Sequence, residues 1–191
     1  MEAFLRAWLP HFLPKEHSFA VHPFQGKSDL LGKLEGRLLG YAHWLPPDWR
    51  IVVVVDGDDE DCKKLKSRLE KAAARSGLVT RSQAGTSRWQ LVSRIAIEEL
   101  EAWYFGDWAA VCTAYPRVSR NIPTQSGYRD PDAIRGGTWE AFERLLQRHG
   151  YFKVGLPKIE VARTVGPLID PARNRSQSFA LLCDAIAEAV A

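Results

Sequence analysis

The clearest hydrophobic pattern in the chain is RIVVVVD, residues 50–56, in which one isoleucine and four valines follow each other without polar alternation. Such a run is typical of a strand that is covered on both faces in a parallel sheet. The next segment, DDEDCKKLKSRLEKAAARSG, has acidic residues in its first turn, basic residues later and Gly77 at its end, a pattern that predicts a helix. We therefore expect a central strand that leads directly into a helix.

Apolar spacing along the rest of the chain predicts further helices and strands. EAFLRAWLPHFL and GKSDLLGKLEGRLLGYAHWL carry apolar residues on one helical face. SFAVHPF and LVSRIAI read as two more strands, and EELEAWYFGDWAAVCTAY predicts one helix or two short helices separated near Gly106. Alternating strands and helices indicate an α/β fold class with a mostly parallel sheet flanked by helices.

The length of 191 residues suits one domain with a single core. We divide it into a core at about residues 1–115, a loop at about 116–137 and a helical C-terminal portion at about 138–191. The loop is rich in Pro, Gly, Arg and Asn and shows no usable period, which is typical of a long surface loop. TWEAFERLLQRHG, LPKIEVARTVGPLI and SQSFALLCDAIAEAV predict the C-terminal helices.

Composition and the absence of certain motifs restrict the expected location and function of the protein. Three cysteines without a close pair exclude a disulfide framework and indicate a reducing compartment, so we expect a cytoplasmic location. The chain has no signal-peptide core and no apolar run of the roughly 18 residues that suggest a membrane span. The net charge of +3 permits contact with phosphates but does not by itself indicate nucleic-acid binding. The sequence contains no GxSxG, P-loop or GxGxxG motif.

Asp56 and Asp58 are the first candidate for chemistry, because they lie where the predicted central strand ends. Residues two apart in a strand point to the same side, so both carboxylates can face one spot at the carboxyl end of the sheet. Mg²⁺ prefers a few carboxylates together with water and phosphate oxygens. In a second interpretation, Asp58 or Asp59 caps the following helix and stabilises it by about 1 kcal/mol without a metal.

A second acidic cluster, Glu98, Glu99 and Glu101, lies where another predicted strand meets a helix. Glu98 and Glu101 are three apart and therefore share a helical face. If the two strands are neighbours, the carboxylates of both clusters can converge on one or two divalent ions, as in phosphodiester hydrolysis. The alternative is that these acids only compensate the helix dipole.

Four segments together resemble a known bacterial family: FQGKSDL, the strand followed by DGDDEDC, RIAIEELEAWYFGD and RNRSQSF. They resemble domain of unknown function 4276, a family that looks Toprim-like, the fold class of topoisomerases, primases and overcoming-lysogenization-defect nucleases. The similarity spans nearly the whole chain. ELEAW in register after the DxD motif is its specific part.

The resemblance implies a nuclease or phosphotransfer domain that acts on nucleic acid with Mg²⁺ or Mn²⁺, in phage defence beside an ATPase partner. Asp56 and Asp58 match the Toprim DxD motif, and Glu98 and Glu101 match the second acidic motif. Lys153 or Lys158 corresponds to the lysine that related nucleases place near the scissile phosphate, where its charge stabilises developing negative charge.

The chain departs from the Toprim pattern at its beginning. Toprim domains start with a strand that delivers a glutamate, whereas this sequence starts at MEAFLRAWL, inside the helix expected after that strand. Glu2 then corresponds to the later acidic residue and joins Asp56, Asp58, Glu98 and Glu101 as an expected metal ligand. Either the true protein is longer than this sequence, or this form lacks a strand and a metal ligand. The second case favours an alternative function, a non-catalytic Toprim-like scaffold or partner-binding module.

Overall fold

The computed structural model describes residues 1–58, 60–85 and 87–191 as a mixed α/β fold. The elements in these residues are α1 (Glu2–Phe12), α2 (Gly26–Ala42), β1 (Ile51–Asp56), α3 (Cys62–Ser76), α4 (Arg81–Ala84), β2 (Leu91–Ala96), α5 (Glu101–Gly106), α6 (Trp108–Ala114), α7 (Thr138–Arg148), α8 (Lys158–Val165) and α9 (Gln177–Val190). Short 3₁₀ helices lie at Ile122–Thr124, Ser126–Tyr128, Pro131–Ala133 and Gly166–Leu168.

The valine run forms strand β1, which pairs in parallel with β2. Ile51 lies opposite Leu91, and Asp56 lies opposite Ala96. In the described part of the chain the sheet contains these two strands, so it is smaller than the sequence pattern indicates. The prediction of a strand at SFAVHPF, residues 18–24, is wrong: the segment has no regular structure, and Pro23 lacks the N–H that a sheet ladder requires.

Alternation along β1 sends side chains to two different layers of helices. Val53 and Val55 pack with leucines of α2 and α3 on one face of the sheet. Val52 and Val54 lie against the opposite layer, which contains α1 and the helices that follow β2. Covering both faces explains why the strand carries no polar alternation, and it fixes the side to which Asp56 must point, since Asp56 shares the parity of Val52 and Val54.

The C-terminal region is helical, as predicted, and it packs on α1 through aromatic side chains. The Phe4 ring centroid lies 5.4 Å from that of Trp103 and 6.2 Å from that of Phe179. Because these rings come from α1, α5 and α9, their burial ties both ends of the chain to the segment that follows β2. No helix in the described residues is both long enough and apolar enough to span a membrane.

The segment after β2 forms two short helices, which is one of the two predicted forms. Asp107 separates them and accepts a hydrogen bond from the Ala110 N–H at the start of α6. At Gly106 the chain meets the segment before α9: Arg175 N–H donates to Gly106 O at 3.1 Å, and the Asn174 side chain donates to Trp103 O at 2.9 Å. A Cβ on Gly106 would overlap the Asn174 side-chain oxygen, so the close approach requires glycine here.

We predict that Gly106→Ala lowers the free energy of unfolding by about 2 kcal/mol, because Asn174 is held by hydrogen bonds to Trp103 O and Ser176 N–H and cannot move freely. Urea denaturation monitored by circular dichroism measures the change. Gly36→Ala in α2 is the control, since open space surrounds that position, and it should stabilise the protein by about 0.5–1 kcal/mol. Similar effects of both substitutions would contradict the close approach at Gly106.

Candidate functional site

Asp56 is the last residue of β1, and its carboxylate is turned into the protein at the carboxyl end of the sheet. Its Oδ1 atom is buried and has no hydrogen-bond partner among the described residues. Burial raises the pKa of Asp56, and the nearby carboxylates of Asp58 and Glu99 raise it further, while the Met1 amino group and the Leu100 backbone N–H act in the opposite direction. The carboxylate therefore lies in a site that disfavours its charge and leaves one oxygen available.

Asp58 does not simply continue the alternation of β1. Gly57 N–H donates to Ala96 O at 2.8 Å, and Asp58 N–H donates to Glu98 O at 2.7 Å, so the two chains stay joined beyond the strands. Both Asp58 and Glu98 adopt left-handed backbone conformations, with φ of 49° and 58°. Such non-glycine conformations occur often at functional sites, and here they turn the Asp58 side chain away from the interior.

The Asp58 carboxylate binds Lys27 of α2. Lys27 Nζ lies 2.7 Å from Asp58 Oδ2, donates to Gly57 O at 2.9 Å and lies 3.7 Å from Glu60 Oε2. The start of α3 is capped by Asp61, which accepts hydrogen bonds from the backbone N–H groups of Lys63 and Lys64. The interpretation of Asp58 as a helix cap is thus wrong, whereas Asp59 lies outside the described residues.

Glu98 and Glu99 of the second acidic cluster make different contacts. Glu99 Oε2 accepts hydrogen bonds from Thr138 Oγ1 at 3.2 Å and from Trp139 N–H at 3.0 Å, so it holds the beginning of α7. Glu98 joins Asp58 through the backbone and lines an open depression together with Arg135. Glu99 is therefore both a hydrogen-bond acceptor at the beginning of α7 and an electrostatic neighbour of Asp56.

Glu101 begins α5 and is buried, with 4% of its surface exposed. Burial raises its pKa from 4.5 to about 7; Lys158 opposes the rise, and Glu99 and Asp56 add to it. The buried Tyr104 hydroxyl lies close by and has no partner among the described residues; burial raises its pKa, and Glu101 adds to the effect. We call Asp56, Glu99 and Glu101 the rim cluster.

The two predicted lysines and Glu2 occupy different surroundings. Lys158 begins α8, where its Nζ lies 4.2 Å from the Trp139 ring centroid and its charge acts on Glu101. Lys153 is exposed in the loop between α7 and α8. Glu2 pairs with Arg6 at 2.8 Å on the surface of α1. The structure therefore brings Lys158 to the rim cluster, while the contacts of Glu2 are directed along its own helix.

The rim cluster has the donor chemistry of a hard cation site. Mg²⁺ and Mn²⁺ prefer carboxylate oxygens, and Asp56 Oδ1 is a buried carboxylate oxygen without a hydrogen bond from the described residues. No three His, Cys, Asp or Glu side chains in residues 1–58, 60–85 and 87–191 already stand together as a metal-binding group. A cation bound to Asp56 would require a second carboxylate to turn toward it, with Asp58 and Glu101 as its sequence and spatial neighbours.

The sequence does not indicate the surroundings of three residues of this region: Lys27, Glu99 and Tyr104. Lys27 lies in the FQGKSDL segment, but its sequence gives no sign that it pairs with an aspartate 31 positions later. Glu99 is part of the acidic run, yet only the position of α7 reveals its hydrogen bonds. Tyr104 looks like an ordinary core residue in a helical pattern.

We predict that Glu101→Gln increases stability relative to the wild type as the pH rises from about 4.5 to about 7. The raised pKa means that the folded protein binds the Glu101 proton more tightly than the unfolded chain does, so wild-type stability falls across this window, by a free energy on the order of 3 kcal/mol. Glutamine resembles the protonated form and does not titrate. Urea denaturation between pH 4 and pH 8 in metal-free buffer measures the difference.

The control for this experiment is Glu16→Gln, which changes an exposed glutamate after α1. Its stability curve should run parallel to that of the wild type. If the Glu101→Gln curve is also parallel to the wild-type curve, the burial of an ionisable carboxylate at the start of α5 does not govern the pH dependence.

The family model described as "Domain of unknown function (DUF4276)" matches residues 1–187, in agreement with the resemblance inferred from the sequence segments. Neither the search of curated proteins nor the search of solved structures finds a match to this chain. Because the family match covers nearly the whole chain, the protein belongs to the DUF4276 family.

Proposed function

We propose that the protein is a Toprim-like nuclease that hydrolyses phosphodiester bonds in nucleic acid with Mg²⁺ or Mn²⁺ bound beside the rim cluster. The observation that carries this proposal is Asp56 Oδ1, a buried carboxylate oxygen without a hydrogen bond from the described residues. An unsatisfied buried polar group costs about 1–3 kcal/mol, and more when it is charged, so its retention at the end of β1 calls for an explanation. A divalent cation supplies that explanation.

The balance of charge around Asp56 supports the same proposal. Asp58, Glu99 and Glu101 are close enough to influence the pKa of Asp56 or to be influenced by it. Lys158 acts on Glu101, and Lys27 neutralises Asp58. The Met1 amino group offsets part of the charge of Asp56. A cation at the rim would compensate the negative charge that is left and would convert mutual repulsion among the carboxylates into binding energy.

The residues present can share the work of phosphodiester hydrolysis. Asp56, Asp58 and Glu101 would hold the cation, which when bound activates water and neutralises charge on the phosphate. In the cation-free protein Glu101 has a pKa of about 7, so a cation that binds to it near neutral pH would displace its proton. Lys158 begins α8 beside the cluster, where a positive charge favours the negative charge that develops on the phosphate oxygens.

Lys27 already binds the Asp58 carboxylate, so a cation would have to compete with it. Its ammonium group occupies the side of Asp58 that a cation would use, at 2.7 Å from Oδ2. Lys27 also contacts Gly57 O and Glu60, so it can keep these partners while the Asp58 carboxylate rotates. We propose that Lys27 orients the Asp58 loop and that a divalent cation competes with it for the carboxylate.

The ion pair between Lys27 and Asp58 also supports a second candidate function, a non-catalytic Toprim-like scaffold. Lys27 neutralises Asp58 without a metal, and the rim can therefore persist as a structural feature. The family resemblance adds an ATPase partner, a phage-defence context and a cytoplasmic location to either proposal. Isothermal titration with Mn²⁺ separates the two functions, since a scaffold has no need for a cation at Asp56.

We predict that the purified protein nicks supercoiled DNA, or cleaves single-stranded RNA of mixed sequence, with Mg²⁺ or Mn²⁺ but not with EDTA. Asp56→Asn, which keeps the shape and removes the charge, should lower the rate at least about 100-fold, the scale of losing one electrostatic group from a catalytic site. Asp61→Asn is the matched control: it removes a neighbouring negative charge, but asparagine caps a helix about as well as aspartate.

Equal rates for the wild type and Asp56→Asn would contradict the proposed role of the rim cluster. A folded wild-type protein that neither cleaves these substrates nor binds Mn²⁺ would favour the scaffold. A comparable loss of activity in Asp61→Asn would indicate that general negative charge, and not the Asp56 site, governs the reaction.

A further inference from the structure

An open cleft lies between the loop that precedes α7 and the surface of α7 itself. It has a volume of about 490 Å³ and is lined by three arginines, Arg129, Arg135 and Arg144, together with Tyr128. From this arrangement we propose that the cleft binds the phosphate groups of a nucleic-acid strand. The inference deepens the proposed function, because it names the surface that would carry the substrate to the rim cluster, but the binding step can be tested without cleavage.

The position of the cleft links it to the candidate site. A second depression, of about 440 Å³, shares Ala133, Ile134 and Arg135 with the first and extends it to Glu98. The Glu98 backbone pairs with Asp58 at the end of β1. The two depressions therefore adjoin each other at Ala133, Ile134 and Arg135, and the path that they form ends at Glu98, next to the carboxyl end of β1.

The arginines offer charge that the surrounding protein does not neutralise. Arg135 and Arg144 are exposed, and none of the three forms an ion pair with a carboxylate in the described ranges. Arg129 Nε donates to Thr124 O at 3.1 Å, which fixes one side of its guanidinium and leaves the positive charge uncompensated. Three uncompensated guanidinium groups around one concave surface favour an anionic ligand.

The carboxylates near the path do not cancel this charge. Asp130 is the one acidic residue among those that line the first depression, against the three arginines, so the charge of that depression stays positive. Glu98 and Glu140 line the second depression, next to Arg135 and nearer to the rim. Positive charge thus dominates the outer part of the path and negative charge the inner part, an order that suits a phosphate chain leading to a cation site.

A strand of several phosphates fits the cleft better than a single small anion. Arg129 and Arg135 come from the loop and Arg144 from α7, so three guanidinium groups from two segments line the same open cleft and offer contacts to more than one phosphate. Tyr128 is held by stacking on Phe105, with ring centroids 5.5 Å apart, and stays half-buried at the cleft wall. A fixed aromatic ring beside basic side chains is a common way to hold single-stranded nucleic acid.

The test is fluorescence anisotropy of a fluorescein-labelled single strand of about 20 nucleotides, in DNA and RNA forms, with EDTA present so that neither a bound cation nor cleavage contributes. Arg135→Gln and Arg144→Gln should each weaken binding about three- to tenfold, and each should reduce the slope of log affinity against log salt by about 0.7. The charge-conserving Arg135→Lys and Arg144→Lys should retain most of the affinity, because phosphate attraction depends chiefly on charge.

Arg88→Gln is the matched control, since Arg88 is exposed near the beginning of β2, at the opposite end of the sheet. It should leave affinity and salt slope unchanged, and thermal melts should confirm that every variant is folded. The proposal is overturned if the wild type does not bind the strand, if Arg135→Gln and Arg144→Gln bind as the wild type does, or if Arg88→Gln weakens binding equally. Competition by a mononucleotide or inorganic phosphate as strong as that by the strand would also overturn it.

Because EDTA is present throughout, the outcome is independent of the cation site. Binding that depends on Arg135 and Arg144 together with inactive protein would support the cleft and contradict the nuclease. Cleavage that depends on Asp56 without any effect of the two arginines would support the nuclease and contradict the cleft.

Discussion

A carboxylate that becomes buried on folding needs a compensating charge or hydrogen bonds. Several carboxylates face this requirement at the carboxyl ends of β1 and β2. Glu101 is buried there, Asp56 is half-buried with a buried Oδ1, and burial is the largest influence that raises the pKa of each. Glu99 resolves the problem by binding the beginning of α7, and Asp58 resolves it by pairing with Lys27. Asp56 Oδ1 accepts no hydrogen bond from the described residues, although the Met1 amino group and the Leu100 N–H lower the pKa of this carboxyl, and the atom is the centre of the functional proposal.

The fold produces this concentration of charge by simple geometry. Parallel pairing brings the carboxyl ends of β1 and β2 to one edge, and the backbone bridge between Asp58 and Glu98 keeps the two chains together beyond the strands. The parity of β1 turns Asp56 toward the helical layer that contains α5. The same layer supplies Glu101, and α8 supplies Lys158, so residues far apart in sequence meet at this edge.

Local sequence patterns predicted many of the strands and helices of this fold. The valine run predicts a strand covered on both faces, and the aromatic and apolar spacing after residue 138 predicts the C-terminal helices; both are confirmed. A helix also follows the strand as predicted, but it begins at Cys62, so the acidic residues expected in its first turn precede it. The strand at residues 18–24 fails because a short apolar run with a proline says nothing about whether a partner strand is near. Pairing is a property of the whole fold, and it is absent from a local window.

The direction of side chains was also hard to predict, because it depends on the whole fold and not on a local sequence window. The rule that residues two apart share a side fails at Asp58, since Gly57 and the left-handed conformation of Asp58 end the regular alternation. The spacing of Glu98 and Glu101 predicts a shared helical face, but α5 begins only at Glu101 and Glu98 belongs to the bridge. The arginine cleft joins a loop to a helix, so no sequence period could indicate it.

The most direct test of the central claim is anomalous diffraction from a crystal of the protein grown with Mn²⁺. The account predicts an anomalous peak within bonding distance of Asp56 Oδ1, accompanied by a second carboxylate ligand from Asp58 or Glu101. A fully ordered rim cluster without a peak, in which Lys27 still holds Asp58 and Asp56 Oδ1 contacts only protein atoms, would contradict it.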